Sequence, residues 1–228
     1  MNILCTICVR AGSKGIKNKN IKILNEKPLI YYTIKQAIDS KFLKNIVVST
    51  DSQKISKIAK KLGASSWFLR KKNLSGDNVP KISVIRDTLK ISEEYYKKKF
   101  DYIIDLDATS PLRKISDIKK SFRFFKEKNY ENLFSVCESS KSPYFNIIEK
   151  SNGKFKLIKK TKNFFSRQKV PKTYDLNASI YIWKRNTLLK SNTLFNSKTG
   201  IYIMPKIRSF DIDTYTDFKI VSFLMKNK

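Results

Sequence analysis

Apolar runs suited to buried β-strands alternate with amphipathic helical segments over the first two-thirds of this 228-residue chain. The run Ile3–Val9 is continuously apolar, which is typical of a strand covered on both faces. Leu29–Ser40 then places apolar residues at helical spacing after Pro28, a residue that suits the first turn of a helix. This order predicts an α/β fold with a mainly parallel sheet and helices on both faces. The same pattern predicts strands at Asn45–Ser49, Ser66–Leu69 and Tyr102–Leu106, and helices at Ser56–Leu62, Ile82–Tyr96 and Ile115–Lys126.

From about Leu133 the pattern changes to short strands separated by Ser, Asn and Gly turns. We interpret Pro143–Pro171 as an excursion from the sheet, with the chain rejoining it near Asn177. The chain thus divides into a core, residues 1–140 and 174–228, and a small β-rich arm, residues 141–173. The elements predicted here are strands at Phe134–Glu138, Asn146–Glu149, Phe155–Ile158, Ser179–Lys184 and Ile201–Met204, and a closing helix at Tyr215–Met225.

The formal net charge of +29 first suggests a phosphate-rich partner, because a strongly basic domain attracts nucleic acid. A content of 41% hydrophobic residues nevertheless allows a buried core. Only eight of the 48 basic residues are Arg, whose planar fork suits bidentate recognition of phosphates and bases. The excess of Lys, Ile and Asn is typical of an AT-rich genome, so we expect no specific nucleic-acid partner. A non-enzymatic, basic polyanion-binding protein is the alternative.

The chain contains no His, which excludes Ser-His-Asp triads, His general bases and His-containing zinc sites. Any acid–base or metal chemistry must therefore use carboxylates, Lys, Tyr or Cys. Three cysteines supply no disulfide framework, and Cys5 and Cys8 fall on opposite faces of a strand, where they cannot share a metal. Because the pattern includes neither a membrane span nor a signal peptide, we expect a cytoplasmic protein without membrane association.

A basic loop from Arg10 to Asn20 follows the first predicted strand, and ligands of parallel α/β sheets bind beyond the carboxyl ends of the strands. Its glycines, Gly12 and Gly15, allow the backbone to approach a phosphate closely, and its cations neutralise the charge. The loop matches neither the Walker pattern nor the dinucleotide fingerprint. A phosphate-binding loop and an ordinary strand-to-helix connection both fit these residues.

Two pairs of carboxylates also follow predicted strands. Asp105 and Asp107 point the same way in an extended chain, so they suit a divalent cation or sugar hydroxyls. The alternative is that one of them caps the helix after Pro111. Asp211 and Asp213 converge in the same manner, and such oxygen ligands suit Mg²⁺ bound together with substrate phosphates. Asp213 also fits as the N-cap of the closing helix.

Six short motifs, taken together, resemble a known family from residue 3 to about residue 220. They are Arg10 with Ser13-Lys14-Gly15 and Lys19-Asn20, then Ser49-Thr50-Asp51, Thr109-Ser110-Pro111-Leu112-Arg113, Arg167-Gln168 with Pro171, Asn177 to Tyr181, and Asp211-Ile212-Asp213. In this order and spacing they resemble the acylneuraminate cytidylyltransferases, the CMP–sialic acid synthetase family, and most closely its bacterial branch for legionaminic and sialic acids.

The resemblance implies a Rossmann-like nucleotidyltransferase fold whose arm mediates dimerisation. It implies Mg²⁺-dependent transfer of CMP from CTP to the anomeric hydroxyl of a nine-carbon 2-keto sugar acid, a nonulosonic acid, with release of pyrophosphate. It also implies a homodimer with shared active sites, in which Arg167 reaches the site of the neighbouring subunit. The alternative within the same chemistry is a nucleotidyltransferase for a different sugar.

The resemblance also assigns roles to individual residues. The implied catalytic residues are Arg10, Lys19, Asp211 and Asp213, with Asp211 and Asp213 as Mg²⁺ ligands and Asp211 helping to deprotonate the attacking hydroxyl. The implied nucleotide-binding residues are Arg10, Ser13, Lys14, Lys19, Asn20 and Arg70. The implied sugar-binding residues are Asp107, Thr109, Ser110, Arg167, Asn177, Tyr181 and Phe195.

One departure from the family pattern bears on the sugar. Asp107-Ala108 stands where members that use sialic acid often have Gln-Pro, and a carboxylate only accepts hydrogen bonds where an amide both donates and accepts. Together with the segment Tyr174–Ser179, this departure resembles branches that act on bacterial sialic-acid-like sugars such as legionaminic acid.

Overall fold

A six-stranded mixed sheet forms the centre of the computed structural model, which describes residues 1–13, 15–159 and 170–227. The strands are β1 (Ile3–Cys8), β2 (Ile23–Leu24), β3 (Lys27–Pro28), β4 (Asn45–Ser49), β5 (Tyr102–Leu106), β6 (Asn132–Glu138), β7 (Ile148–Ser151), β8 (Lys154–Leu157), β9 (Tyr174–Lys184) and β10 (Thr199–Ile203). The α-helices are α1 (Leu29–Asp39), α2 (Gln53–Lys61), α3 (Lys81–Tyr96), α4 (Ile115–Glu127), α5 (Arg185–Lys190) and α6 (Tyr215–Lys226).

The strand order of the central sheet is β10-β6-β9-β5-β1-β4. β9 runs antiparallel to β5 and β6, whereas the other three pairings are parallel. The prediction of a mainly parallel α/β sheet is confirmed. The carboxyl ends of β1 and β5, which are adjacent and parallel, therefore open onto the same edge of the sheet.

Side chains of β1 are buried on both faces of the sheet, as its continuous apolar run predicts. Ile3, Cys5 and Ile7 pack with α1, α2 and α4 on one face, and Leu4 packs with α3 and α5 on the other. Cys8 also lies on this second face, which confirms that the two N-terminal cysteines point apart. All three cysteines are free thiols.

The predicted third strand, Ser66–Leu69, is wrong. The chain makes one bridge to β4, in which the Ser65 N–H donates to Ile46 and the Ser65 carbonyl accepts from Val48, both at 2.8 Å. Beyond it, Trp67 stacks on Tyr95 of α3 with ring centroids 4.0 Å apart. The aromatic ring of this segment is instead held by the end of a helix.

Local capping explains two further differences. α2 begins at Gln53 rather than Ser56, because the Ser52 hydroxyl accepts a hydrogen bond from the Ile55 N–H and caps the helix earlier. The closing helix is capped by Thr214, whose side chain accepts from the Asp217 N–H in a capping box. Asp213 is therefore not the N-cap. Neither Asp105 nor Asp107 caps α4, where the Asp117 carboxylate accepts from the Lys114 N–H at 2.9 Å.

The arm contains a separate hairpin, in which β7 and β8 pair with each other and not with the central sheet. Asn152 and Gly153 form its turn with positive φ angles, as the Ser-Asn-Gly turn predicts. Ile148 and Phe155 on this hairpin are exposed. Among the described residues, no helix combines the length and apolar character needed to cross a membrane.

Candidate active site

A cavity of about 490 Å³ lies beyond the carboxyl ends of β1 and β5. Its walls are the Arg10–Asn20 loop, the loop after β5, and the segment before α6. The three loops that the sequence singled out therefore meet in one place. The predicted site residues that line this cavity are Arg10, Ser13, Lys19, Asn20, Asp107, Thr109, Asp211 and Asp213.

Lys19 links the first of these loops to the segment before α6. Its ammonium donates to the Ile212 carbonyl at 2.8 Å and to the Asp213 carboxylate at 2.9 Å. The Ile212 N–H in turn donates to the Thr109 carbonyl at 3.0 Å, which attaches this segment to the loop after β5. Lys19 thus presents a cation to the cavity and also holds two of its walls together.

The backbone of the first loop is fixed by polar side chains around Arg10. The buried Asn20 amide donates to the Arg10 carbonyl at 3.0 Å, and the Asp51 carboxylate accepts from the Ala11 N–H at 2.8 Å. The Arg10 guanidinium forms an ion pair with Asp77. A cation on a preformed loop suits an anionic ligand, because little conformational entropy is lost when the ligand binds.

Gly15 is required where the first loop crosses the segment before α6. A Cβ atom at this position would overlap the carbonyl oxygen of Asp213. The close approach brings the backbone of the first loop against the backbone of Asp213. Only a residue without a side chain permits this contact.

We expect Gly15→Ala to destabilise the protein, because the added methyl group has no space. Overpacking of this kind costs about 1–3 kcal/mol, and each 1 kcal/mol lowers Tm by about 2–4 °C in a chain of this size. Thermal unfolding of Gly12→Ala is the matched control, since a Cβ there meets no atom within 4 Å. Equal melting temperatures for the two variants would show that the crossing is not tight.

Asp211 is the most perturbed carboxylate of the cavity. Burial raises its pKa to about 6, with further contributions from the charges of Asp107 and Asp213, against the lowering effects of Thr109 and Lys19. Its Oδ1 atom is buried and has no hydrogen-bond partner among the described residues. A buried carboxylate oxygen without a partner, beside further carboxylates, is a place where a cation fits.

The fit to Mg²⁺ depends on a bound substrate. No cluster of three or more Cys, Asp or Glu side chains converges on one point in the part of the chain that the structure describes. Asp211 and Asp213 are therefore two protein ligands at most for one ion, and Asp213 is shared with Lys19. Mg²⁺ is commonly held by one or two carboxylates together with substrate phosphates and water, so these residues fit it.

Asp105 and Asp107 do point the same way, and both contact Lys81, the first residue of α3. The Lys81 ammonium lies 3.1 Å from Asp105 Oδ2 and 2.6 Å from Asp107 Oδ2. Burial opposes the charged form of Asp107, but Lys81 and two hydrogen bonds from Thr109 outweigh it and lower its pKa to about 2. The same carboxylates hold the pKa of Lys81 well above its usual range, although burial alone would lower it.

A smaller cavity of about 230 Å³ shares Cys8, Arg10 and Asp107 with the first. Arg70 lines it, is almost fully buried, and donates from its guanidinium to the Val9 carbonyl. Its Nε atom has no partner among the described residues. Arg70 is thus a fixed donor next to the first cavity.

Four predicted sugar-binding residues do not line the first cavity. Ser110 is fully buried, and Asn177 is buried between Ser135 and Ser209, with which it exchanges hydrogen bonds of 2.6 and 2.9 Å. Tyr181 is buried with the Lys81 ammonium 4.7 Å from its ring centre. Phe195 is exposed and packs edge-on against Phe134 in a separate apolar groove. Their contacts with a sugar stay predictions.

Two predicted site residues, Lys14 and Arg167, lie outside the described residues. Lys81 is the opposite case, since it lines the smaller cavity and was not predicted from the sequence. The sequence around Lys81 does not indicate a functional role, because Lys81 is one Lys among many and follows a Pro at the start of a helix.

A basic loop against paired carboxylates at the end of a parallel pair of strands is the arrangement expected of a nucleotide-handling α/β protein. The sequence matches the family model described as cytidylyltransferase over residues 4–227, and the chain belongs to this family. Membership favours the enzymatic interpretation over that of a polyanion-binding protein.

Within the family, similar proteins fit the legionaminic and sialic acid branch that the motifs indicated. The chain is 50% identical to the post-translational flagellin modification protein B of Campylobacter coli, over 99% of this chain and 96% of that protein. It is 48% identical, over the same shares, to the CMP-N,N′-diacetyllegionaminic acid synthase of Campylobacter jejuni. The solved structure of CMP:2-keto-3-deoxy-manno-octonic acid synthetase complexed with CTP shares the fold, with a TM-score of 0.72 at 14% identity over 100% of this chain and 99% of that one.

Proposed function

We propose that the protein transfers CMP from CTP to the anomeric hydroxyl of N,N′-diacetyllegionaminic acid or a closely similar nonulosonic acid, releasing pyrophosphate. The observation that carries this proposal is the single cavity in which Arg10 and Lys19 face Asp211 and Asp213. The chain is 48% identical, over nearly its full length, to a CMP-N,N′-diacetyllegionaminic acid synthase, and this similarity supports the choice of sugar.

The proposed roles follow from the chemistry of displacement at phosphorus, which depends on positioning and charge stabilisation rather than on a His base. Arg10, Ser13 and Lys19 bind the triphosphate, and Asn20 keeps the Arg10 loop in shape. Arg70 and its small cavity receive the nucleoside end. Asp211 and Asp213 hold Mg²⁺, which supplies positive charge to the phosphate oxygens when bound.

We also propose that the protein is a homodimer whose interface includes the arm. The arm exposes the large apolar side chains of Phe145, Ile148, Phe155 and Ile158, and exposed apolar surface favours a partner. A reach of Arg167 into the neighbouring site stays a prediction of the family resemblance. Light scattering of the full chain should give the mass of two chains, and the mass of one would contradict the dimer.

A cytoplasmic location accompanies this proposal. CTP is a cytoplasmic metabolite, and the three free cysteines suit a reducing compartment.

The test of the function is turnover with CTP, MgCl₂ and each of three acceptors, namely legionaminic, sialic and pseudaminic acids with their natural acyl groups. We expect pyrophosphate and a CMP-sugar in equal amounts, with kcat/KM for the legionaminic acid at least tenfold above that for the others. Equal rates on sialic and legionaminic acids would contradict the assigned sugar. No product from any acceptor, in a folded preparation that binds CTP, would overturn the function.

A further inference from the structure

We propose that Lys81 is a positioning residue that holds the Asp107 carboxylate as a fixed hydrogen-bond acceptor, so that the site selects a substrate carrying an O–H or N–H donor at this point. The inference rests on the proposed function, because it concerns which groups of the nucleotide and sugar are recognised.

The hydrogen bonds of Asp107 leave one acceptor position open. Its Oδ1 accepts from the Thr109 N–H at 3.1 Å and the Thr109 hydroxyl at 2.8 Å, and its Oδ2 accepts from Lys81 at 2.6 Å. An ionised carboxylate offers about four acceptor positions, so one remains. Asp107 lines both cavities and is 20% exposed, which places this position where a ligand reaches it.

Lys81 is itself fixed from the far side. Its ammonium contacts the fully buried Asp105, whose other oxygen accepts from the Thr6 hydroxyl at 2.7 Å. The ring of Tyr181 lies 4.7 Å from the same ammonium and adds a cation–π contact. Lys81 therefore cannot turn away to leave Asp107 free.

The backbone next to Asp107 is fixed in the same way. Buried Arg113 donates to the carbonyl of Asp107 at 3.3 Å and to that of Ser179 at 2.6 Å. A carboxylate held at both its backbone and its side chain has little freedom to adapt to a ligand.

The consequence is a selection rule. A ligand group with a donor hydrogen fills the open acceptor position of the Asp107 carboxylate. A group without a donor leaves this partly buried oxygen without a hydrogen bond. Sites built in this way reject analogues that lack the donor far more strongly than apolar pockets reject a missing methylene. The donor comes from the nucleotide or from the sugar acid, because Asp107 borders both cavities.

The experiment compares kcat/KM for a full substrate and for analogues that lack one donor. The nucleotide arm uses CTP, 2′-deoxy-CTP and 3′-deoxy-CTP. The sugar arm uses the acceptor and analogues in which one hydroxyl is removed or one acylamino N–H is methylated. We expect the wild-type enzyme to reject one analogue by at least about 10²-fold. In Lys81→Met that ratio should fall to about tenfold or less, and Lys81→Arg should restore most of it.

Lys90→Met is the matched control, since Lys90 is an exposed residue of the same helix. A merely structural role for Lys81 would lower kcat/KM for every substrate by the same factor and leave the ratio unchanged, which would overturn the proposal. An absence of discrimination by the wild type in both arms would overturn it as well. Should Lys81→Met not fold, Asp107→Asn must shift the ratio for the same analogue, because its amide no longer offers two acceptor oxygens.

Failure of the proposed function is separately visible. It appears as no turnover of any full acceptor by the wild type. In that case calorimetry gives the Kd values of CTP, of the acceptor and of the analogues of each that lack one donor, and these decide the role of Lys81 without catalysis. Equal ratios in wild type and Lys81→Met for both the nucleotide and the sugar series would overturn it.

Discussion

Asp211→Asn is expected to lower kcat at least about 10³-fold while leaving metal-free CTP binding within about threefold of the wild type. The substitution keeps the shape of the side chain and removes its charge. Asp211 combines a buried oxygen without a partner and a pKa raised to about 6 by burial and by neighbouring carboxylates. Removal of the charge therefore removes what would hold a cation against the phosphates.

The same substitution should not destabilise the metal-free protein. A buried carboxylate beside other carboxylates costs free energy in the folded state, so a neutral amide is expected to leave Tm unchanged or higher. Loss of catalysis with no loss of stability distinguishes a metal-binding role from a structural one. Steady-state pyrophosphate release and thermal unfolding, each with and without MgCl₂, are the measurements.

Asp39→Asn is the control, because Asp39 is a partly exposed carboxylate at the end of α1, away from the cavity, and pairs with Lys35. It should retain wild-type kcat and the wild-type response to MgCl₂. Near-normal turnover of Asp211→Asn, or an unchanged dependence on MgCl₂, would show that the cation site lies elsewhere.

The spacing of apolar residues predicted correctly those helices and strands that bury an apolar face. β1, β5, α1 and α3 have bounds within two residues of those expected, since each carries an apolar face that the sheet or its helices must cover. The prediction failed at Ser66–Leu69, where Trp67 is held by the ring of Tyr95. Apolar residues in a short segment indicate that the segment is buried, but which element packs against them depends on the tertiary structure.

The helix α5 was not predicted for a related reason. It has six residues and buries only Leu188, so its sequence carries too little periodicity to detect. Its position depends on long-range contacts, among them the Arg185 guanidinium with the Glu93 carboxylate at 2.7 Å.

The convergence of the three loops could be predicted, because strands of one parallel sheet end at one edge. The orientation of individual side chains could not. Asn177 precedes Ala178, whose φ angle of 52° accompanies a register shift between β9 and β6. Such an irregularity changes the face of the sheet to which a side chain points. Here the Asn177 side chain accepts a hydrogen bond from Ser135.

Lys81 shows the same limit at the centre of the site. Its partner Asp107 is 26 residues away in sequence and on a different element. Nothing in the spacing of either residue indicates the pairing. The loop sequences therefore predict which charged residues a site contains, whereas the fold determines which of them form ion pairs.

Lys19→Met is expected to lower kcat/KM for CTP at least about 10³-fold, because Lys19 acts on both sides of the cavity. In the proposed reaction it offers a cation to the CTP phosphates, and such fixed charges stabilise the transition state strongly where water is excluded. It also holds the Ile212 carbonyl and the Asp213 carboxylate, at 2.8 and 2.9 Å. Met fills a similar volume without the charge, so both effects are lost together.

Lys17→Met is the matched control, because Lys17 is an exposed residue of the same loop. Its kcat/KM should stay within about threefold of the wild type, since an exposed charge is screened by salt and contributes little. Lys19→Arg separates the two roles of Lys19: its charge remains, but its longer, planar guanidinium does not place a nitrogen where the Lys ammonium lies between the two acceptors. We expect Lys19→Arg to retain CTP binding and lose kcat. If Lys19→Met and Lys17→Met lose activity equally, the loop attracts CTP by its total charge, and the geometry at Lys19 is not what makes the site.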